Sequence, residues 1–280
     1  MYRLINFAFI FLIVYLFILE GSAGDHIRIL TALILAIFAS LIFFIAKWVT
    51  LDAMKAVLVF GVIALGFGGW GLASAVIFFF VTSTVLSLIN INSQNTDSDP
   101  GDFDNYSFRR DGYQVWANGF WVAVFSMLWF LSGNIVFMMA ALGSLASAAS
   151  DTWATEIGTM NPGKTVNILT FEAVEPGRDG GISLKGTAGA LLGSLSLGAF
   201  AFIAPLLAPF EAFFIITISG MIGMVFDSIA GALCLKYDYT FRQPNDFTGD
   251  RFLYNNHIVN WLGTGIGGLI ALLTSIIAFG

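Results

Sequence analysis

The chain is a succession of long apolar runs separated by short polar segments, and few folds are compatible with this pattern. Only 11% of its 280 residues are charged and 58% are hydrophobic, whereas soluble domains carry about 25% charged residues. A membrane-spanning helix needs about 20 mostly apolar residues. The sequence therefore predicts an all-α, polytopic integral membrane protein, a bundle of about nine transmembrane helices that forms a single domain over residues 1–280.

The apolar runs give the approximate bounds of these helices. We predict helices near residues 4–20, 27–47, 54–69, 71–90, 113–132, 134–150, 184–207, 210–235 and 256–279. The third is the least regular, because Gly66, Gly68, Gly69 and Gly71 interrupt it, and it could instead form a re-entrant pair or one bent element with the fourth. The first could alternatively be a signal peptide, since Arg3 precedes its apolar run and small residues follow from Gly21.

The basic residues predict the orientation in the membrane. With nine spans, eleven of the 12 Lys and Arg residues fall on the side of the N-terminus, and only Arg28 falls on the other. Because cytoplasmic loops carry an excess of Lys and Arg, we expect a multi-pass protein of the cell membrane with a cytoplasmic N-terminus and an outside C-terminus. The long loops, 91–112, 151–183 and 236–255, are then cytoplasmic. The net charge of -6 gives no reason to expect a nucleic-acid partner.

Two predicted helices carry aspartates in unusual places. Asp151 ends the sixth helix, and Asp227 lies inside the eighth with apolar sequence on both sides. A carboxylate at the centre of a spanning helix costs about 2.5–3.5 kcal/mol, so we expect it to face a polar cavity, a partner or a metal. Stripes of small residues would let helices six to eight pack closely and bring the two aspartates into one cytoplasmic-side pocket. These stripes are Gly143, Ser147, Ser150 and Ala154; Gly186, Gly189 and Gly193; and Gly220, Gly223 and Gly231.

Carboxylates that share a pocket predict a divalent-cation site. Mg²⁺ prefers oxygen ligands and is usually held by one or two carboxylates plus substrate phosphates. We take Asp151, Glu156 and Asp227 as candidate metal ligands. Glu156 points about 140° away from Asp151 on an ideal helix, so it joins the pocket only if the helix unwinds near Gly158. The alternative is a set of solvated helix ends with one helix-packing aspartate.

A glycine-rich segment precedes the seventh helix and resembles a phosphate-binding loop in its composition. Gly180 and Gly181 allow close backbone approach, Ser183 follows them, and the loop leads into a helix N-terminus, which attracts anions. Arg178 and Lys185 add positive charge. The alternative is a glycine-rich turn flanked by basic side chains that reach the membrane surface.

Two further polar clusters lie at predicted cytoplasmic helix ends. Arg110, Gln114 and Asn118 recur every four residues and therefore share one face of the fifth helix. A second cluster opens the ninth helix, and it consists of Asp246, Asp250, Arg251, Asn255, Asn256, His257 and Asn260. We interpret the aspartate-rich stretch at 97–104 as a solvated linker.

Four segments together resemble a known family. They are Arg110–Asp111 with Gln114–Val115 and Ala117–Gly119; Ser150–Gly158; Pro176–Gly177 with Gly180–Ser183; and Asp227–Ser228. The pattern is similar to the transmembrane protein 19-like family, long catalogued as domain of unknown function 92, which includes phytyl-phosphate kinase. The resemblance covers residues 25–279, and residues 150–187 are its most specific part.

The resemblance implies a membrane-embedded kinase that transfers a phosphoryl group from a nucleoside triphosphate, CTP or another, to an isoprenyl monophosphate. We expect Mg²⁺ or Mn²⁺ at Asp151, Glu156 and Asp227, and we expect Asp151, Asp227 and Lys185 to be catalytic. Substrate or nucleotide contacts would come from Arg110, Gln114, Asn118, Arg178, Gly180, Gly181 and Ser183. Asp179 does not fit this scheme unless it binds metal, because a carboxylate inside the proposed phosphate loop would repel phosphate. The alternatives are a secondary transporter or channel with Asp227 as its coupling carboxylate, and a related CTP-dependent lipid transferase.

Overall fold

The computed structural model describes residues 2–94, 109–160, 162–203, 208–237 and 251–279. The predicted linker at 97–104 lies outside the described residues, as do Asp246 and Asp250 of the cluster before the ninth helix.

The described part of the chain contains nine α-helices and one short β-hairpin. The helices are α1 (Tyr2–Leu19), α2 (Ala23–Ile45), α3 (Leu51–Gly66), α4 (Gly69–Gln94), α5 (Gly112–Ser132), α6 (Ile135–Met160), α7 (Leu184–Gly198), α8 (Pro209–Lys236) and α9 (Arg251–Phe279). The hairpin, β1 (Thr165–Asn167) paired antiparallel with β2 (Gly181–Ser183), lies between α6 and α7. This architecture confirms the prediction of a polytopic helical membrane protein.

Seven of the nine helices are long and apolar enough to cross a membrane. The two others, α3 with 16 residues and α7 with 15, extend only about 24 and 22 Å at 1.5 Å per residue, less than the roughly 30 Å thickness of the hydrocarbon core. Most residues of α3 are buried, since it packs between α2 and α5. The two short helices are therefore held by their neighbours inside the bundle.

The weakest predicted helix is a separate element. α3 begins after Thr50, whose side chain accepts a hydrogen bond from the amide of Ala53. It ends at a turn where Gly69 has a φ of +79°, a conformation that favours glycine, and α4 starts there. The interrupting glycines thus form the turn between two distinct helices, α3 and α4, and not one bent element.

The largest differences between predicted and observed helix ends are in the sixth and seventh helices. The sequence predicts that the sixth helix ends near residue 150, but α6 continues to Met160. Its last turns pack against the glycines of α7 on one side, and on another side Glu156 accepts a hydrogen bond from Asn90 of α4. The seventh was expected to reach residue 207, but α7 ends at Gly198 and a 3-10 turn follows at Ala199–Phe202. Hydropathy alone does not locate these ends, because packing determines them.

The stripes of small residues lie at helix–helix contacts, as expected. A Cβ added to Gly189 of α7 would lie 2.7 Å from the carbonyl oxygen of Trp153 in α6, and one added to Gly193 would lie 2.8 Å from that of Ala149. Gly220 of α8 approaches Ala146 equally closely. α6 is consequently the central helix, in extensive contact with α7, α8 and α9.

Polar contacts between helix ends agree with the predicted alternation of spans. At one end of the bundle, Arg28 near the start of α2 donates to the carbonyl oxygen of Gly66 at the end of α3 (2.9 Å) and pairs with Asp25 (2.8 Å). At the other, the link between α2 and α3 pairs with the start of α5, where the amide of Arg110 donates to the carbonyl oxygen of Trp48 (3.0 Å). Arg28, the basic residue predicted alone on its side, is thus at the opposite end from Arg110.

Filling the contact between α6 and α7 should loosen the bundle. We expect Gly189→Leu to lower the free energy of unfolding by about 1–3 kcal/mol, the usual cost of overpacking a close contact. The melting temperature of the detergent-solubilised protein measures this loss. Ala188→Leu is the matched control, because Ala188 is exposed on the same helix. Equal melting temperatures for the two variants would contradict the close packing.

Candidate functional site

A polar cavity of about 310 Å³ lies where α6, α7, α8, α9 and the hairpin meet. Asp151 comes from α6, Asp227 from α8, and Arg178 and Asp179 come from the turn before β2. We call it the acidic cavity. Its further lining includes Thr155, Gly158, Thr159, Gly180, Gly181, Ser183, Gly186, Thr187, Ser228 and Asn256.

Two half-buried aspartates face each other in this cavity. The carboxyl groups of Asp151 and Asp227 lie within hydrogen-bonding reach of each other, and Asp179 is close enough to interact electrostatically with both. With its amide oriented to satisfy its neighbours, Asn260 of α9 donates to Oδ1 of Asp227 (3.2 Å). The two aspartates that the sequence predicted to converge are therefore neighbours.

Asp179 belongs to the acidic group of side chains in this cavity. A Cβ added at Gly231 of α8 would lie 3.4 Å from the Cβ of Asp179. Asp179 therefore lies against the same helix that carries Asp227. Burial raises the pKa of Asp179 above that of an exposed aspartate. The acid that was at odds with a phosphate-binding loop thus adds to the negative charge around Asp151 and Asp227.

The glycine-rich loop is held tightly over α8. Gly180 has a φ of +72°, and a side chain there would collide with Ala232, so both the conformation and the space require glycine. Its carbonyl oxygen accepts from the amide of Ile168 (2.9 Å), and Gly181 pairs with Asn167 in the hairpin. The hairpin therefore fixes the loop backbone at the wall of the cavity.

The N-terminus of α7 opens onto the acidic cavity. Ser183 caps the helix, and its hydroxyl accepts from the amide of Gly186 (3.1 Å). Gly186 and Thr187 also line the cavity. The first amides of a helix carry a partial positive charge and attract anions. Together with the exposed Arg178, this end of the cavity suits an anionic group.

Lys185 does not line the acidic cavity. Its side chain, in the first turn of α7, is exposed. Its catalytic role therefore stays a prediction, whereas Arg178 lies in the cavity as expected.

Glu156 lies outside the acidic cavity. α6 does not unwind at Gly158 but stays helical to Met160, so Glu156 keeps the opposite direction from Asp151. Its carboxylate accepts hydrogen bonds from α4, one from the hydroxyl of Ser87 and one from Nδ2 of Asn90 (2.8 Å). The predicted trio of metal ligands is therefore not assembled, and Glu156 instead ties α6 to α4.

The cluster on the fifth helix lines a different cavity. Arg110, Gln114 and Asn118 lie at one end of an apolar cavity of about 220 Å³ between α2, α3, α4 and α5. Gln114 also forms a capping box with Asp111, accepting from its amide (3.3 Å) and donating its own amide to Oδ1 (2.8 Å). Burial lowers the pKa of Arg110, and the nearby Glu156 opposes that effect.

The acidic cavity offers two of the ligands that a metal ion would need. Within the described ranges, no three His, Cys, Asp or Glu side chains come together as a set able to hold a metal ion. Asp151 and Asp227 offer two adjacent carboxyl groups, which suit a hard cation that takes its remaining ligands from phosphate oxygens and water. The arrangement can therefore hold a cation between acidic side chains and an anion at α7.

Several residues of this cavity were not predicted as site residues. The sequence indicates Asn256 and Asn260 only as members of a polar cluster, although their four-residue spacing puts both on one face of α9. Thr155 and Thr159 share the cavity face of α6 for the same reason. Thr159 also accepts from Nδ2 of Asn90 (2.9 Å), which links the acidic cavity to the environment of Glu156.

Comparisons with known proteins agree with this membrane architecture. Residues 33–268 match a family described as "Integral membrane protein DUF92". An uncharacterized membrane protein of Methanocaldococcus jannaschii is 28% identical over 77% of this chain and 81% of its own length. The chloroplastic protein VTE6 of Arabidopsis thaliana is 30% identical over 49% of this chain and 38% of its own length. An uncharacterized membrane protein of Synechocystis is 26% identical over 76% of this chain and 78% of its own length. No solved structure matches the chain.

Removing one charge of the aspartate pair should stabilise the protein without cations and abolish its stabilisation by cations. Without divalent cations, we expect Asp151→Asn to raise the melting temperature by roughly 2–4 °C for each kcal/mol of carboxylate repulsion that it removes. With Mg²⁺ or Mn²⁺, wild type should gain stability and the variant should not, because it has lost one of two ligands.

The matched control is Glu175→Gln, which neutralises an exposed acid in the loop that carries Arg178 and Asp179. It should melt like wild type and keep the cation effect. A wild-type protein that neither cation stabilises would exclude the pair as a cation site.

Proposed function

The chain belongs to the DUF92 family of integral membrane proteins, and we propose that it is a membrane-embedded prenyl phosphate kinase, which transfers a phosphoryl group from CTP or another nucleoside triphosphate to an isoprenyl monophosphate. One observation carries the proposal: Asp151 and Asp227, from separate helices, meet in a cavity whose other side is a glycine-rich loop and a helix N-terminus. The family includes phytyl-phosphate kinase, which supports the choice of reaction.

The reaction asks for positioning and charge more than for covalent chemistry. The bond between the terminal phosphorus and its bridging oxygen breaks, a bond to an oxygen of the prenyl phosphate forms, and the nucleoside diphosphate leaves. Because a phosphate monoester has a second pKa of about 6, the attacking oxygen is already largely deprotonated near neutral pH. No side chain has to act as a general base, so carboxylates in the site are free to bind metal.

Asp151 and Asp227 would hold Mg²⁺ or Mn²⁺, with phosphate oxygens and water as the remaining ligands. When bound, the cation neutralises negative charge on the transferring phosphoryl group. Asp179 lies beside the pair and increases the local negative potential. We do not assign Glu156 to this site, because its carboxylate is bonded to Ser87 and Asn90.

The nucleotide phosphates would lie at the opposite wall of the acidic cavity. The amides at the start of α7 and the backbone of Gly180 and Gly181 can approach phosphate oxygens closely. Arg178 supplies a charged side chain, and Ser183 keeps the helix start in place by its capping bond. This division puts metal ligands on α6 and α8 and phosphate ligands on the loop.

The proposed orientation follows from the substrate. Nucleoside triphosphates are cytoplasmic, so the acidic cavity, the loop that carries Arg178 and the N-terminus would face the cytoplasm, in agreement with the distribution of basic residues. The C-terminus would then lie outside, with the cell membrane as the proposed location.

Purified protein incubated with terminally labelled CTP or ATP and phytyl or farnesyl phosphate tests the proposal. We expect labelled prenyl diphosphate from wild type. Asp151→Asn and Asp227→Asn should each reduce kcat/KM by about 100-fold or more, since each removes a ligand of the charge-stabilising cation. Glu175→Gln should leave the rate unchanged. Absence of diphosphate product with every nucleotide would refute the kinase.

Two alternative reactions have distinct signatures in the same preparation. Transfer of the cytidylyl group would release pyrophosphate and leave α-phosphate label on the lipid. A transporter is also consistent with buried carboxyl groups in membrane helices, and it would take up solute into proteoliposomes without nucleotide. Uptake that is lost in Asp227→Asn, with no labelled lipid, would favour the transporter.

A further inference from the structure

The apolar cavity next to Arg110 is a groove on the outer side of the bundle. Small residues of α3 form its floor, and apolar residues of α2 and α4 form its walls. The floor consists of Val57, Gly61 and Ala64, and the walls of Leu35, Ala39 and Phe43 on α2 and Ala73, Ile77 and Phe80 on α4. We call it the apolar groove.

The apolar groove is open to the bilayer along its side. Leu35 and Ile77, on opposite walls, are 42% and 52% exposed, and Trp70 at one end is 64% exposed. In a membrane protein such apolar exposure faces lipid chains. At the end near Arg110 the walls close, since the rings of Phe43 and Phe80 are 4.4 Å apart. A lipid chain could therefore enter between α2 and α4 without crossing a polar surface.

The polar side chains of the apolar groove are concentrated at its closed end. Arg110, Gln114 and Asn118 line it there, and Glu156 is near enough to interact with Arg110. The rest of the lining is apolar apart from Ser74. A molecule with a long apolar tail and an anionic head matches this distribution, because the guanidinium of Arg110 suits phosphate.

The polar end adjoins the acidic cavity across the last turns of α6. Asn90 donates both to Glu156, which interacts electrostatically with Arg110 of the apolar groove, and to Thr159, which lines the acidic cavity. The two cavities thus lie on either side of one helix end, and a head group beside Arg110 would be next to the proposed nucleotide site.

We infer that the apolar groove binds the isoprenyl tail of the substrate, admitted sideways from the bilayer, with Arg110 at its phosphate and Leu35 near its far end. This inference rests on the proposed function for the identity of the tail. It assigns a substrate-binding role to α2, α3 and α4, which lie away from the acidic cavity.

The length of the groove sets how much of a tail it covers. From Phe43 to Ala32 on α2, both lining residues, eleven helical steps span about 16 Å. An isoprene unit adds four chain bonds, or about 5 Å for bonds of roughly 1.5 Å in a zigzag. The groove therefore covers about three units, and a bulky residue at Leu35 shortens it by roughly 4 Å.

Leu35→Trp and Ile34→Trp form a matched pair for the test. Both residues are exposed on the same turn of α2, but only Leu35 lines the groove. In Leu35→Trp we expect KM for a prenyl monophosphate of four isoprene units to rise about tenfold, the effect of losing roughly two buried methylene groups. Its kcat, and KM for a two-unit substrate that stops short of Leu35, should be unchanged. If Leu35→Trp and Ile34→Trp had equal KM values for the four-unit substrate, the assignment would be overturned.

A second measurement does not depend on catalysis. A four-unit prenyl phosphate with a diazirine at the tail end, photolysed with wild-type protein in bilayers, should label the lining residues of α2 and α4. Label on α7, α8 or α9 would overturn the groove even in an active enzyme. Label in the groove of a protein that phosphorylates no prenyl phosphate would instead refute the kinase and leave the groove as a prenyl-phosphate site.

Discussion

The contact between Asp151 and Asp227 is the interaction on which the rest of this molecule depends. Two carboxylates in adjacent membrane helices repel each other when both are ionised, and they lose hydration, so a fold that keeps them together must offset both costs. Asn260 donates to one of them, and the cavity around them has space for a cation and water. The proposed phosphoryl transfer would use this property, because a cation bound between the carboxylates would relieve their repulsion.

Close helix packing makes this contact possible. Glycines on α7, α8 and α9 approach the backbone or small side chains of α6 too closely for a Cβ, and such contacts drive helix association where lipid removes the hydrophobic effect between helices. Gly263 of α9 lies against Oδ1 of Asp227, where a Cβ would be at 3.0 Å. The same glycines that hold the helices together therefore also set the position of the acidic side chains.

α6 separates two chemically different spaces. One side of its last turns carries Asp151, Thr155 and Thr159 and faces the acidic cavity. The other side carries Glu156, which interacts with Arg110, and, further from the helix end, Leu145, which lines the apolar groove. A polar nucleotide and a lipid could thus approach one helix end from opposite directions, one from water and the other from the bilayer.

The sequence by itself determined that the helices lie in a lipid bilayer, how many helices there are and which end of the bundle carries the charge, because these depend on composition. It also determined which faces of α6, α7 and α8 carry small residues, because these faces follow from the 3.6-residue period within one helix. It also predicted that Asp151 and Asp227 would meet, since both lie beside such small faces. Only the tertiary structure decided that Glu156 binds Asn90, that Lys185 lies outside the cavity, and that Arg110 belongs to the apolar groove. The rotation of one helix relative to another depends on packing across the whole bundle, and no local pattern in the sequence specifies it.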